Sequence, residues 1–160
     1  MLFRSITIKG RTPAAVFYGL MTLEQLCIGN GVSARSVQLP SLYIVDQPRT
    51  AIRELMVDPV RHFIPFNDLK GFIVEMARYK FNALHLHLVD DQGWRIEIKK
   101  YPELIEKASD RVGMDDMPER IRGYYTQDQM RDLVRFASTY HVMVIPEIEL
   151  PGHEVAAVHC

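Results

Sequence analysis

Three groups of polar side chains stand directly after short apolar segments of this 160-residue chain. An arginine, carboxylates, a histidine and an indole together suit a sugar, because hydroxyl groups pair with bidentate polar partners and the apolar face of the ring stacks on an aromatic. Any one of these residues can equally be polar because a strand end emerges into solvent, and the repetition at three segments favours a shared site. The groups comprise Asp58, Arg61 and His62; Asp90, Asp91, Gln92 and Trp94; and Glu147, Glu149 and His153.

The His85-Leu86-His87 triplet suggests a different chemistry. Residues two apart on a strand point to the same face, so these two imidazoles could hold a metal together with Glu147 or His153, as in metal-dependent amidohydrolases. The triplet lies within its strand, however, and the tip of the strand carries Asp90 instead. This placement favours packed histidines over metal ligands.

Three segments from Ile52 onward have the composition of buried strands, and helical periodicity fills two of the intervals between them. This alternation specifies a parallel sheet covered by helices, as in a (β/α) barrel. In such a barrel the reactive groups lie at the carboxyl ends of the strands, so we expect all three polar groups on one rim. The predicted strands are Glu54 to Val57, Ala83 to Val89 and Val142 to Pro146, with an excursion from Arg95 to Tyr125 before the third.

Two amphipathic helices are predicted between these strands. Asn67 is the expected N-cap of the first helix, and Thr126 with Gln129 reads as the capping box of the second. Apolar residues at helical spacing should form the buried stripe of each helix. These are Leu69, Phe72, Ile73 and Met76 in the first helix, and Met130, Leu133, Val134 and Ala137 in the second.

Residues 1–48 predict a small strand-helix-strand unit that ends one domain. The segment from Ser5 to Lys9 alternates like a strand, and Thr12 followed by Pro13 marks the start of a helix. The Gly29-Asn30-Gly31 cluster should end that helix, and extended pieces are expected around Val37 and Tyr43.

Composition and charge exclude several classes of protein. The chain is 48% hydrophobic and 24% charged with a formal net charge of −1, which is globular and leaves no basic surface for nucleic acid or an anionic membrane. Cys27 and Cys160 are its two cysteines and imply no disulfide framework. The start, MLFRSITIKG, lacks the apolar region of a signal peptide, so the sequence as written predicts a chain that stays where it is made.

The residues also resemble a known family, glycoside hydrolase family 20, whose members are β-N-acetylhexosaminidases. The resemblance rests on DPVRHFIPFNDLKGFIVEMARYKFNALHLHLVDDQGWRIEIKKYPEL and on GYYTQDQM with VIPEIELPGH, which together run from Ile52 to His153. Two earlier segments, PAAVFYGLMTLEQLC and LPSLYIVDQPR, are similar to the end of the small α/β domain that precedes the barrel in that family. The resemblance therefore implies part of that small domain over residues 1–48 and the first three units of an incomplete (β/α)8 TIM barrel over residues 49–160.

The resemblance implies a role for several rim residues. Arg61 would bind hydroxyls of the terminal non-reducing sugar, and Asp90 with His153 would form a relay that supports the general acid. A carboxylate that holds a histidine in one tautomer can tune the proton affinity of a neighbouring acid. Glu147 and Glu149 would line the same rim as substrate-binding residues, and Trp94 would either stack on the sugar or anchor the local packing.

The implied reaction is retaining and substrate-assisted: the 2-acetamido oxygen of the sugar attacks the anomeric carbon, without metal or organic cofactor. Family members use an adjacent Asp-Glu pair on the fourth strand, which lies beyond this sequence, so we expect the 160 residues to lack that pair. A smaller departure is Glu54, where the family usually has glycine.

The expected partner is a glycan or glycoconjugate with a terminal β-linked N-acetylhexosamine. The competing interpretation is a non-catalytic truncated fragment with at most weak sugar binding. Three strands of a barrel leave two unpaired edges, which predicts self-association of the chain. Members of the family are often secreted, periplasmic or lysosomal, so the resemblance leaves localisation open.

Overall fold

The fold of the chain is a short parallel sheet with helices packed on one face. The structure, a computed structural model, describes residues 5–29, 36–112 and 120–160. In these ranges no helix has the length and apolar character needed to cross a membrane. The elements are α1 (Pro13–Gly29), β1 (Glu54–Val57), α2 (Phe66–Arg78), β2 (Ala83–His87), β3 (Val89–Asp90), β4 (Gly93–Trp94), α3 (Glu103–Ala108), β5 (Asp110–Val112), β6 (Arg120–Arg122), α4 (Gln127–Thr139), β7 (Met143–Glu147) and α5 (Val155–Val158).

Three strands form the central sheet in the order β1-β2-β7, and both pairs are parallel. Leu84 and Leu86 of β2 are fully buried, because this strand lies between the other two and faces the helices. The register pairs His87 with Glu147 at the carboxyl end of the sheet. Polar side chains of β2 and β7 are therefore brought together where the sequence predicts a rim.

The core lies between this sheet and the helices α2 and α4. Leu69 and Ile73 of α2 and Leu133 and Ala137 of α4 are fully buried in one cluster with the leucines of β2. Burial of a leucine or isoleucine side chain contributes roughly 1.5–3 kcal/mol, so this interface carries much of the stability of the unit.

The helix boundaries confirm one predicted cap and correct the other. Thr126 accepts a hydrogen bond from the Gln129 amide, and the Gln129 side chain accepts one from the Thr126 amide, which completes the capping box. Asn67 was wrong as an N-cap, because α2 begins at Phe66, with Pro65 before it and no side-chain cap. Proline suits a helix start because its φ is already near the helical value.

Two predicted stripe residues and two strand boundaries also differ. Phe72 is 40% exposed and Val134 is 50% exposed, because the sheet is narrow and each helix buries a narrower stripe than predicted. The third strand runs from Met143 to Glu147, one residue later than predicted. The second ends at His87 and is interrupted at Leu88, after which β3 pairs antiparallel with β4.

The N-terminal residues form one helix and no named strand within the described part of the chain. Thr12 caps α1 through its Oγ1, which accepts from the Ala15 amide at 3.1 Å. The predicted strand at Ser5 to Lys9 is wrong: this segment lies on α1, where a Cβ on Gly19 would be 2.5 Å from Cγ2 of Ile8. Around the extended pieces predicted at Val37 and Tyr43, the described residues form no named strand, and Ser36 carries a single β-bridge. Asn30 and Gly31 of the predicted helix stop lie outside the described residues.

Candidate active site

Asp90 is the centre of the polar rim. It ends β3, just after the break in the strand at Leu88, and its side chain is 1% exposed. Its Oδ2 receives the Nε2 of His87 at 2.7 Å and an ion pair from Nη2 of Arg61. Its Oδ1 receives the Asp91 amide at 2.6 Å and the Nδ1 of His153 at 3.1 Å. A buried carboxylate thus has every oxygen occupied by a donor.

The protonation of Asp90 follows from these contacts. Burial favours the neutral acid, but the hydrogen bonds from His87 and the Asp91 amide and the charge of Arg61 outweigh it. They lower the pKa of Asp90 below its usual value of 3.8. Asp90 is therefore an anion at neutral pH and can hold cationic or donor groups around it.

Arg61 is positioned by the loop that follows β1. One oxygen of Asp58 accepts the amides of Val60 and Arg61 at 3.0 and 3.1 Å, and the other accepts Nη1 of Arg61 at 2.7 Å. The hydrogen bond that Arg61 donates to Asp58 raises the pKa of Arg61. The side chain remains 35% exposed, and a guanidinium carries five N–H donors, so donors remain for a ligand.

His153 reaches Asp90 from the turn after β7. Its φ of 53° lies in the left-handed region, which is uncommon for residues other than glycine and enriched at functional sites. Asp91 supports this turn because its carboxylate accepts the Val155 amide at 3.2 Å. The His153 ring is 54% exposed, so it can contact both Asp90 and a group in the open rim.

Glu147 and Glu149 lie at the end of β7, and both are partly buried. Oε2 of Glu147 lies 2.6 Å from Nδ1 of His87 and 3.0 Å from Nε2 of His85. Burial alone would raise the pKa of Glu147, but hydrogen bonds with His87 and Glu149 lower it. Glu147 therefore faces the histidines of β2 at the rim.

Trp94 closes the β3-β4 hairpin. Its indole Nε1 donates to the Ile96 carbonyl at 2.6 Å, and its ring packs against the hydrophobic core. A satisfied N–H and a core contact match the packing alternative for this residue better than sugar stacking.

Two sets of donor atoms in the described residues are close enough to hold a metal ion. Each set has its ligand atoms within 4.8 Å of one another. In both sets the histidine already contacts a carboxylate, so a metal would have to replace those contacts. The sets are His87, Glu147 and Glu149, and Asp90, Asp91 and His153.

Three residues of this region had no predicted place in the polar rim. Arg95 is fully buried, and its guanidinium donates to the carbonyls of Val60, Ser109 and Gly123. Glu54 contacts Nδ1 of His85 at 3.0 Å, and His87 bridges two carboxylates. The HxH spacing places both histidines on one face, but only the strand register brings Glu147 to that face.

The rim belongs to a segment that matches a family of known proteins. Residues 51–160 match the family model described as glycosyl hydrolase family 20, catalytic domain. A β-hexosaminidase of Porphyromonas gingivalis is 44% identical over 159 residues, which cover 97% of this chain and 20% of that relative. The chain thus spans about a fifth of that relative's length.

Solved structures give the same result. One, a glycoside hydrolase family 20 β-N-acetylglucosaminidase, has a TM-score of 0.80 and 42% identity over 92% of this chain and 29% of its own. Another, the exo-β-N-acetylglucosaminidase of Vibrio harveyi in complex with N-acetylglucosamine, has a TM-score of 0.77 and 32% identity over 89% of this chain and 23% of its own. The predicted fold class, the first part of a (β/α)8 barrel, is confirmed by this likeness.

Proposed function

Because the chain belongs to glycosyl hydrolase family 20, we propose that it forms the sugar-binding rim of a β-N-acetylhexosaminidase. The enzyme would remove a terminal non-reducing β-linked N-acetylhexosamine from a glycan or glycoconjugate. The V. harveyi relative, whose solved structure holds N-acetylglucosamine, supports this choice of sugar.

The observation that carries the proposal is the convergence of Arg61 and His153 on the buried carboxylate of Asp90. These residues come from three separate strand ends. If they were polar only because strand ends emerge into solvent, they would have no reason to contact one another at a buried carboxylate. The arrangement leaves parts of both Arg61 and His153 exposed, so the rim offers donors to a ligand.

Each residue has a distinct role in this proposal. The free donors of Arg61 bind hydroxyls of the terminal sugar, which favours cleavage from the chain end. Asp90 holds His153 by its Nδ1, and His153 in turn supports the general acid that protonates the leaving oxygen. Glu149 lines the rim beside the sugar.

The bond-breaking step is substrate-assisted: the acetamido oxygen attacks the anomeric carbon as the glycosidic C–O bond breaks and the leaving oxygen takes a proton. Water then attacks the same carbon and displaces the acetamido oxygen, so two inversions retain the overall configuration. A carboxylate must orient the acetamido group and a second carboxyl must supply the proton. The 160 residues contain no Asp directly followed by Glu. We therefore assign the adjacent pair of the family to a part of the enzyme outside these residues.

Binding of N-acetylglucosamine to the purified chain tests the proposal, with glucose as the comparison sugar. Arg61→Ala should weaken binding of N-acetylglucosamine at least about tenfold, since a charged hydrogen bond contributes roughly 1.5–3 kcal/mol. Arg131→Ala is the matched control, because Arg131 is exposed on α4 and pairs only with groups of its own helix among the contacts described. Equal binding by wild type and Arg61→Ala would overturn the role of Arg61.

Release of a chromophore from an aryl N-acetyl-β-glucosaminide separates binding from catalysis. Release by the wild type that is lost in Arg61→Ala would show a complete site that includes this rim. Binding without release would favour the alternative, a sugar-binding fragment that does not cleave.

A further inference from the structure

His87 is a buried histidine at the carboxyl end of β2, beneath the proposed sugar site. Its side chain is 7% exposed. Nε2 lies 2.7 Å from Oδ2 of Asp90, and Nδ1 lies 2.6 Å from Oε2 of Glu147. Both ring nitrogens thus face a carboxylate oxygen.

This geometry decides the charge of the ring. A neutral imidazole has one N–H donor, so its second nitrogen would point a lone pair at a carboxylate. An imidazolium donates from both nitrogens and satisfies both partners. Burial opposes the cation, but hydrogen bonds to Asp90 and Glu147 outweigh it and raise the pKa of His87 above its usual 6.5.

The surrounding charges act in the same direction. The ion pairs around β2 join four carboxylates and one guanidinium, an excess of three negative charges before any histidine is protonated, and Glu149 hydrogen-bonds to Glu147 beside them. His85 shares Glu147 with His87, and the ring of His153 lies 6.3 Å from that of His87. The carboxylates are Glu54, Asp58, Asp90 and Glu147, and the guanidinium is that of Arg61.

The contacts of Asp90 show what the ring controls. His87 and Arg61 occupy Oδ2, and Oδ1 accepts from the Asp91 amide and from Nδ1 of His153. A carboxylate fixed at one oxygen by a buried donor has its second oxygen fixed as well. Neutralising His87 would leave one N–H to serve two carboxylates, so the hold of the ring on either Asp90 or Glu147 would be lost.

We propose that His87 is a positioning residue, an imidazolium clamped between Glu147 and Asp90 that orients the Asp90 carboxylate toward Arg61 and His153. It does not touch the sugar. Its link to sugar binding rests on the proposed function, whereas its charge and contacts do not.

The charge state is testable by ¹⁵N NMR of the histidine rings in the purified chain, with His87 assigned by its absence in His87→Asn or, if that variant does not fold, through its backbone resonances. We expect both ring nitrogens of His87 to be protonated at pH 6 and the ring to titrate above pH 6.5. A titration midpoint at or below pH 6.5 would overturn the proposal. This readout stands whether or not the chain binds sugar.

Two amide substitutions test the clamp. Glu147→Gln should shift the His87 titration downward by about one pH unit or more, because a neutral amide replaces an accepting carboxylate. Glu54→Gln is the matched control: Glu54 contacts His85 and not His87, so the His87 midpoint should stay within a few tenths of a unit. Equal shifts in both variants would refute the clamp.

The pH profile of N-acetylglucosamine binding tests positioning. Wild-type affinity should fall as pH rises through the His87 midpoint, and Glu147→Gln should move that fall to lower pH by the same amount as the NMR shift. A merely structural role predicts instead a uniform loss at every pH. Absence of sugar binding in the wild type would count against the proposed function, and the NMR result alone would then decide the charge and clamp of His87.

Discussion

Arg95 should be the side chain whose loss destabilises the chain most. It is fully buried just after β4, and Nη1 donates to the carbonyls of Ser109 at 2.8 Å and Gly123 at 3.0 Å. Nη2 donates to the Val60 carbonyl at 2.8 Å. One guanidinium therefore joins the loop that carries Arg61 to Ser109, just before β5, and to Gly123, just after β6. Burial lowers its pKa to about 10, so it remains charged at neutral pH.

The expected cost of Arg95→Met follows from these three bonds. Hydrogen bonds to charged groups contribute roughly 1.5–3 kcal/mol each. The Ser109 carbonyl keeps a second donor, the Gly123 amide at 3.0 Å, and the apolar side chain avoids the desolvation cost of the cation. The net loss should be about 3–5 kcal/mol of unfolding free energy. Arg95→Lys should lose about 2 kcal/mol or more, because a single ammonium cannot reproduce the planar fork.

Urea unfolding followed by circular dichroism measures this loss. With an m-value of about 2 kcal/mol/M, Arg95→Met should lower the midpoint by about 1.5–2.5 M at unchanged m. Arg131→Met is the control, since its exposed ion pair on α4 is worth at most about 0.5 kcal/mol. A loss below about 1 kcal/mol in Arg95→Met would refute the reasoning.

Three other predictions concern the same chain. Gly93→Ala should lower the free energy of unfolding by about 1–3 kcal/mol, because the new Cβ would lie 2.7 Å from Nη2 of Arg95. Gly71→Ala in α2 is the control: its Cβ meets nothing within 4 Å, so it should raise the free energy of unfolding by about 0.5–1 kcal/mol. Equal effects of the two substitutions in urea unfolding would contradict this. Unfolding free energy should be greatest between pH 3.8 and 6.5, since the contribution of Asp90 is lost as pH falls through its lowered pKa and that of His87 as pH rises through its raised pKa. In urea unfolding across pH, Asp90→Asn should lose the acid limb and weaken the alkaline limb, because Glu147 still holds His87; a steady rise of wild-type stability to pH 8 would count against this. The chain should elute from a sizing column as more than a monomer, because β1 and β7 each have one strand partner among the described residues; a sharply melting monomer would argue against exposed edges.

Sequence pattern predicted the parts of the fold that rest on local physics. The first strand and the Thr126 capping box were correct to the residue, because strand composition and side-chain capping depend on residues close together in the sequence. The convergence of Arg61, Asp90 and His153 on one rim also followed, because parallel strands end at one edge.

The parts that depend on distant partners were not predictable in this way. Ser5 to Lys9 alternates like a strand but packs on α1, since alternation supplies no strand partner. Nothing close to Arg95 in the sequence indicates that it is buried, because its partners are carbonyls 14 to 35 positions away. The contact between His87 and Glu147 depends on the register between β2 and β7, and that register could not be predicted from the sequence pattern.

The break in the strand at Leu88 makes the number of residues between His87 and Asp90, more than their identity, the constraint on this rim. In an unbroken strand His87 and Asp90, three residues apart, would face opposite sides of the sheet. The break between β2 and β3 changes that parity, so the carboxylate meets the imidazole. Leu88 and Val89 are fully buried and can be exchanged among apolar residues of similar volume at modest cost. Removal or addition of one residue between His87 and Asp90 would instead turn the carboxylate toward the helices, and the rim would lose its central anion.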